Sequence, residues 1–337
     1  MSDRGGEGQS ASARQAEASR PSGGAAIISD PSLAAMHHER AARMLASARQ
    51  LTAQGVALEP FLEIGAGSGQ RSIALANETS ARGVATDISL GSLADAPYVL
   101  TLLGGGRLPL RLCCDAQHLP FLPHTFRFAF ACQMLHRFAD PAPAIAECHR
   151  VLGLNGHFFF DEEPLDTATL HWLRGGRVFS APPTGWQRLA VHLGLDRVFW
   201  EHLETASDRA RGMTVARFDI GTWRRALSPF AEVSLEVNNH LRIHTDLRRC
   251  SPGAILAGLV GGNVRGLCRK TMGEPATGDP LGRLICLDCD STQLRQGERE
   301  LHCTSCHRAY PLTDGILRML PIALERQLYG GKRQGEE

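Results

Sequence analysis

Three glycines stand two residues apart in 61-FLEIGAGSGQ-70, Gly65, Gly67 and Gly69, directly after an apolar run. A glycine turn between a strand and a helix lets backbone N–H groups approach a ligand, because no Cβ intervenes. The dinucleotide fingerprint wants glycines at relative positions 1, 3 and 6. Here position 6 is Gln70, and the third glycine comes one residue early. A phosphate-cradling loop would need Gly-Lys-Ser/Thr, and that run is absent. Three carboxylates narrow the choice. Glu63 interrupts the apolar run, where a charge is costly unless it meets a cation or hydrogen-bond donors. Asp87 ends a second apolar run and is placed to accept ribose hydroxyls. Asp115, in 114-CDAQHLPF-121, is placed to accept an exocyclic adenine amine. A separate constellation follows late in the chain, where 286-CLDC-289 and 303-CTSC-306 are thirteen residues apart. Two such knuckles turn four thiolates, Cys286, Cys289, Cys303 and Cys306, toward one point. That is a closed tetrahedral set for a structural Zn2+, with no open position for catalysis.

The elements that must hold these residues are legible in the alternation of patterns. Residues 60–64 read as a buried strand, RSIALANETS as a helix, GVATDIS as a strand and SLGSLADAPYVLTLLG as a helix. RLPLRLCCDA, FRFAFACQML and GHFFFDEE add three strands, with DPAPAIAECHRVL helical between the last two. Such alternation argues for βαβ units, a mostly parallel sheet and an α/β fold. Asp30-Pro31 opens an earlier helix that stops at Gly55. AEVSLEVNNHLRI and NVRGLCRK read as two further strands.

Taken together, EIGAGSGQ, ATDIS, CDAQHLPF, LHRFADPAPAIAECHRVL and NGHFFFDEE resemble the class I S-adenosylmethionine-dependent methyltransferases. The likeness is to the branch containing ubiquinone- and menaquinone-biosynthesis enzymes, and it covers roughly residues 58–163. It implies a Rossmann-like, seven-stranded, mostly parallel sheet with helices on both faces. It also implies that Glu63, Gly65, Ala66, Gly67 and Gly69 face the methionine part of S-adenosyl-L-methionine, and that Asp87 and Ile88 take the ribose. Asp115 and Ala116 would flank the adenine, with Gln133 nearby. The family's usual Pro-Gly-Gly is here 153-GLNG-156, which alters a turn. The stretch 284–321, ending AYPLTDGILRMLP, resembles the zinc-ribbon relatives of the tRNA-methyltransferase activator subunit. That second likeness implies a module docking in cis on the methyltransferase domain and stabilising it.

A methyl acceptor needs alignment and, for some acceptors, a base. His136, in the loop after the fourth strand, is the candidate base, in competition with a structural histidine. Glu162 and Glu163 at the end of the fifth strand are weaker candidates. Residues 165–225 read as a helical insertion in the place where related enzymes build an acceptor lid. Its Trp172, Trp186, Phe199 and Trp200 suit a pocket or packing; Arg174, Arg177 and Arg188 suit an anionic acceptor or solvent.

The 337 residues carry a net charge of +1, which supplies no global basic field for nucleic acid. A small-molecule or lipid- or glycan-linked acceptor is therefore favoured over tRNA, rRNA or a translation-related protein. A non-catalytic S-adenosylmethionine-binding scaffold is the third reading. The domain reading is a disordered tail over 1–28, a methyltransferase domain over 29–270, a linker over 271–280, the ribbon over 281–325 and a tail over 326–337. No apolar run is long enough for a membrane span, and the N-terminus lacks a secretory apolar core. Ten cysteines at this length, without that signal, point to a reducing, cytoplasmic setting. Cys113, Cys114, Cys132, Cys148, Cys250 and Cys268 read as buried small hydrophobes.

Overall fold

The computed structural model describes residues 14–165, 216, 218–238, 243–246, 251–260 and 262–330. Five strands come from the alternating first half: β1 (Phe61–Ile64), β2 (Gly83–Asp87), β3 (Leu110–Cys113), β4 (Phe126–Cys132) and β5 (Leu152–Leu165). They run parallel in the order β3-β2-β1-β4-β5. Side chains alternate across a strand, and both faces of this sheet are covered. Leu62, Ile64, Ala129 and Ala131 enter one core, which also holds Ala144, Ile145 and Cys148 of the Ala142–Val151 helix. Phe61, Phe128, Phe130 and Cys132 enter the other, against Met44, Ala48 and Leu51 of the Pro31–Ala53 helix. Strand order reverses at β1, between β2 and β4. Connections leaving β1 and β4 therefore diverge, and a crevice opens at their carboxyl ends.

The sheet has twelve strands where seven were expected. The first addition lies at one edge. β6 (Glu232–Asn238) and β8 (Gly262–Arg269) pair antiparallel with each other, and β8 pairs antiparallel with β5. AEVSLEVNNHLRI is not one strand: its second half begins β7 (Ile243–Asp246), which folds back on the outer side of β6. The second addition lies at the other edge. β9 (Leu294–Gln296), β10 (Glu300–Cys303), β11 (Ala309–Thr313) and β12 (Ile316–Arg318) form an antiparallel series, and β12 pairs parallel with β3. An open β3 edge would present a row of unpaired N–H and C=O groups. The same chain's β12 satisfies them, with Leu317 opposite Leu112.

The expected helix over SLGSLADAPYVLTLLG is two, Leu90–Ala94 and Ala96–Leu102. Pro97 has no N–H to continue the first, so the chain restarts at Asp95. The Pro252–Val260 helix was not legible, because its sequence PGAILAGLV is apolar all round and shows no helical stripe. The named aromatics and arginines of the expected lid lie outside the described residues. Its described end is core: Trp223, on the Ile220–Ala226 helix, is fully buried and stacks on Phe160 with centroids 4.9 Å apart.

Both chain ends differ from the tails expected. Residues 14–18 are helical, and the Ala26–Ser29 helix follows. Asp95 accepts hydrogen bonds from Gly23 N at 2.9 Å and Gly24 N at 3.0 Å, while Ile27 packs with Ile73, Ala96 and Val99. At the other end the Ile322–Tyr329 helix continues past the expected boundary, and its Leu328 packs with Ala18 and Leu320. Such sparse apolar residues are ordered by partners distant in sequence, which composition does not register. The expected linker also makes backbone bonds, Leu154 N donating to Glu274 O at 2.6 Å. Cys113, Cys114, Cys132, Cys148 and Cys268 are buried, as read; Cys250 lies outside the described residues. Among the described residues no helix is long and apolar enough to cross a membrane.

Candidate active site and metal centre

The glycine turn leaves β1 at the bottom of the crevice. Gly65 has φ +67°, and a Cβ there would stand 2.1 Å from Met134 Cγ, so the loop after β4 packs directly on it. Gly67 has φ +55° and its Cβ direction is open space, the gap a ligand needs. Gly67 N donates to Asp87 Oδ2 at 2.8 Å, and Ser89 N donates to Asp87 Oδ1 at 2.8 Å. Asp87 thereby ties the glycine turn to the end of β2. Burial pushes its pKa up, against those two backbone bonds.

Glu63 is 1 % exposed. Its Oε2 accepts from Ser72 N at 3.1 Å, in the first turn of the Gln70–Glu78 helix. Burial raises its pKa to about 7, with Arg71 pulling the other way. Asp115 follows β3; it accepts from Gln117 N at 3.1 Å, pairs with His118 Nδ1 at 3.0 Å and has Arg14 Nη1 at 3.6 Å. Ala66 and Ala116 are buried beside these turns. Gly69 heads the Gln70–Glu78 helix as its N-cap. Gln133 follows β4 in a left-handed conformation, φ +57°. Glu63, Asp87 and Asp115 thus stand at or near the carboxyl ends of three adjacent strands.

Ile88 carries a contact that the sequence did not signal. Its carbonyl accepts from Tyr329 Oη at 2.6 Å, and its side chain joins the cluster of Ala18, Leu320 and Leu328. The turn after Asp87 is therefore held by the last described helix of the chain. That helix is anchored by Glu325, which pairs with Arg318 at 3.0 Å and with Arg308, and by Asp288, which accepts from Ile322 N at 3.2 Å.

His136 lies in the short turn after β4 and is 9 % exposed. Its Nδ1 is 2.9 Å from Glu163 Oε2. Glu163 also accepts from the backbone N–H groups of Met134 at 2.7 Å, Leu135 at 3.0 Å and His136 at 3.0 Å. It is fully buried, and its four donors occupy both oxygens. Glu163 is thus the anchor of this turn. Burial would raise its pKa, but His136 and the backbone donors hold it below the usual carboxylate range. Glu162 is engaged by Arg43 and, at 3.1 Å, by Arg71.

Glu163→Gln should cost roughly 2–4 kcal/mol, since it replaces a buried charged acceptor and strands the donors around it. The denaturant midpoint measures this. The pKa is depressed on folding, so the ionised group stabilises above its ordinary range and that contribution fades as pH falls through the lower folded value. The wild-type advantage over the glutamine variant should therefore shrink in acid.

The four cysteine sulfurs all lie within 4.8 Å of one another, with Cys286 and Cys306 3.5 Å apart and Cys289 and Cys303 3.6 Å apart. A disulfide would need about 2.05 Å. Zn–S bonds of about 2.3 Å at tetrahedral angles place sulfurs about 3.8 Å apart. Tyr310 Oη, 3.2 Å from Cys286 Sγ and 2.8 Å from Leu287 N, buttresses the first knuckle.

Residues 62–160 match the family described as a methyltransferase domain. The chain carries a methyltransferase domain. The glycine turn, Asp87 and Asp115 all lie inside the matched segment. No curated protein matches the chain. Among solved structures it is similar to an S-adenosylmethionine-dependent methyltransferase from Thermotoga maritima, at 15% identity over 70% of this chain and 91% of that one, with TM-score 0.39. It is similar to one from Methanosarcina mazei at 19% identity, 66% and 98% coverage and TM-score 0.40. A chain from the complex of the Haloferax volcanii Trm112 methyltransferase activator with a methyltransferase gives 16% identity, 72% and 95% coverage and TM-score 0.42.

Proposed function

We propose that this methyltransferase domain holds S-adenosyl-L-methionine in the crevice after β1–β4 and methylates a small-molecule or lipid- or glycan-linked acceptor. The observation that carries the reading is the convergence of Glu63, Asp87 and Asp115 on one opening beside a glycine turn whose Gly67 faces open space. Asp87 would take the ribose hydroxyls, Asp115 the adenine amine and Glu63 the methionine ammonium.

When bound, the cofactor supplies an already activated methyl group. The chain's own part is to align the acceptor, exclude water and, where needed, hold a proton. His136 is the proposed base. Its Nδ1 is turned to Glu163, which leaves Nε2 as the ring nitrogen that could take an acceptor's proton. The cysteine quartet is proposed to hold a structural Zn2+, in a ribbon of the activator type that completes the sheet at β3 and stabilises the catalytic domain in cis.

The acceptor class is tested by methyl transfer from radiolabelled cofactor to a fractionated metabolite and lipid extract, run beside total RNA and protein. Label in the small-molecule or lipid fraction supports the reading. Label in RNA or protein alone would replace it with a translation-related substrate, and no label with intact cofactor binding would favour a scaffold.

A pH dependence follows from Glu63. Below its pKa of about 7 the free protein holds this carboxyl protonated, and pairing with an ammonium draws it ionised. Cofactor binding should therefore release a proton, and affinity should rise with pH up to about 7 and then level. At pH 6 it should be about tenfold weaker than on the plateau. Calorimetry in two buffers of different ionisation enthalpy measures the proton directly; zero release at pH 6 would remove Glu63 from the ammonium.

A further inference from the structure

Residues 14–29 are held unevenly along their length. The second half is anchored: Asp95 accepts from Gly23 N at 2.9 Å, from Gly24 N at 3.0 Å and from Ser22 Oγ, while Ile27 is buried with Ile73, Ala96 and Val99. Between residues 14 and 22 only Ala18 is buried. Partly exposed polar contacts, each weak in water, hold the rest. Arg14 Nη1 lies 3.6 Å from Asp115 Oδ2, and its Nη2 donates to Gln117 Oε1 at 2.6 Å. Glu17 pairs with Arg137 at 3.2 Å, and Arg20 O accepts from Ser89 Oγ at 3.5 Å. Gly91 lets Arg20 come this close, because a Cβ there would collide with Arg20 O.

Those partners trace a path across the crevice. Ser89 and Gly91 follow β2, Asp115 and Gln117 follow β3, and Arg137 follows β4. The stretch from 14 to 22 therefore crosses the carboxyl ends of the strands, and Glu17 and Arg20 are close enough for their charges to act on Asp87. Arg14 also stands on the carboxylate proposed for the adenine amine, which already accepts from Gln117 N and pairs with His118. An incoming nucleoside has to move it. Ala18 is seated by Ile88, in the turn after Asp87, and by Leu320 and Leu328 near the other end of the chain. Gln15 Nε2 adds a hydrogen bond to Leu328 O at 3.4 Å. A segment fixed at one end and held by one small apolar contact at the other opens at low cost. Gly23 and Gly24 stand at the junction, the second at φ +51°.

We propose that residues 14–22 form a gate on cofactor exchange, hinged at Asp95 and closed against the Ile322–Tyr329 helix. This rests on the cofactor reading above and adds to it a control over entry and release. The C-terminal segment supplies half of the seat, so the two ends of the chain together set how fast the crevice opens.

The test is exchange of radiolabelled S-adenosylhomocysteine on the full chain, with binding and release under an unlabelled chase followed by rapid filtration. Ala18→Asp puts a short carboxylate into the apolar seat, and Leu328→Asp does so from the opposite side. Each variant should bind and release the ligand about tenfold faster than wild type, since opening of the gate limits both steps. Cleavage after Glu17 by a glutamate-specific protease should accelerate in step. If the Leu328 variant does not fold, Ala18→Asp carries the test, because its site lies on the lightly held stretch. A fixed wall of the site would give faster release with unchanged association, and that result overturns the gate. So does unchanged exchange in a variant whose protease cleavage has accelerated. Wild type failing to bind S-adenosylhomocysteine at all would overturn the cofactor reading, and the gate with it.

Discussion

Asp87→Ala should weaken S-adenosylmethionine binding by about 100-fold. The size follows from two losses. A carboxylate facing two ribose hydroxyls makes charge-assisted hydrogen bonds worth about 1.5–3 kcal/mol each. The same carboxylate receives Gly67 N and Ser89 N, so its removal also releases the glycine turn from the end of β2. Asp87→Asn separates the two, since it keeps an oxygen for one of those N–H groups and gives up the charge. It should fall between alanine and wild type. Calorimetry or equilibrium dialysis on the purified chain provides the numbers. Alanine binding as tightly as wild type would remove the crevice as the cofactor site.

Loss of the Zn2+ proposed at the cysteine quartet should have the second large effect, and it should act through the sheet. About one zinc per chain is expected by metal analysis, absent from the double variant Cys286→Ser with Cys289→Ser. The buried side chains of the segment from β9 to β12, Leu301, Tyr310 and Leu317 among them, pack into the main core, while Cys289 and Cys306 are exposed, so without the ion the two knuckles have little to hold them together. Asp288 lies between the ligands of the first knuckle; it pairs with Arg308 at 3.0 Å and caps the helix that carries Tyr329. Metal removal should therefore loosen β12 from β3 and expose that edge to pairing with other chains. The measurements are proteolytic sensitivity across 281–320, a lowered melting temperature and increased light scattering after chelation. A stripped protein that melts and scatters like the loaded one would show that the cysteines need no metal.

Much of the central sheet was legible because its signals are local. FLEI, FRFAFAC and GHFFF announce strands covered on both faces by largely apolar runs, and the glycines and proline between them mark turns. Glu63 and Asp87 drew notice as charges in or ending such runs, and the CxxC spacing declares a four-sulfur cluster by itself. The elements that escaped were those without a periodic signal. PGAILAGLV is apolar on every side, and AEVSLEVNNHLRI hides a strand break in a polar stretch. Glu163 was legible as a carboxylate near the site. Its task, collecting three backbone N–H groups and His136, depends on how the turn after β4 closes over it.

By itself the sequence determined the α/β class, the glycine turn with its three carboxylates and the four-cysteine cluster, because each rests on residue type and short spacing. Only the tertiary structure decided how these parts meet. The pairing of β12 with β3, the hydrogen bond from Tyr329 to the carbonyl of Ile88 and the docking of residues 14–29 all join segments far apart in the chain. The physical reason is common to all of them. A strand edge, a carbonyl or a guanidinium declares only a need, and which distant group meets it is settled when the whole chain has packed.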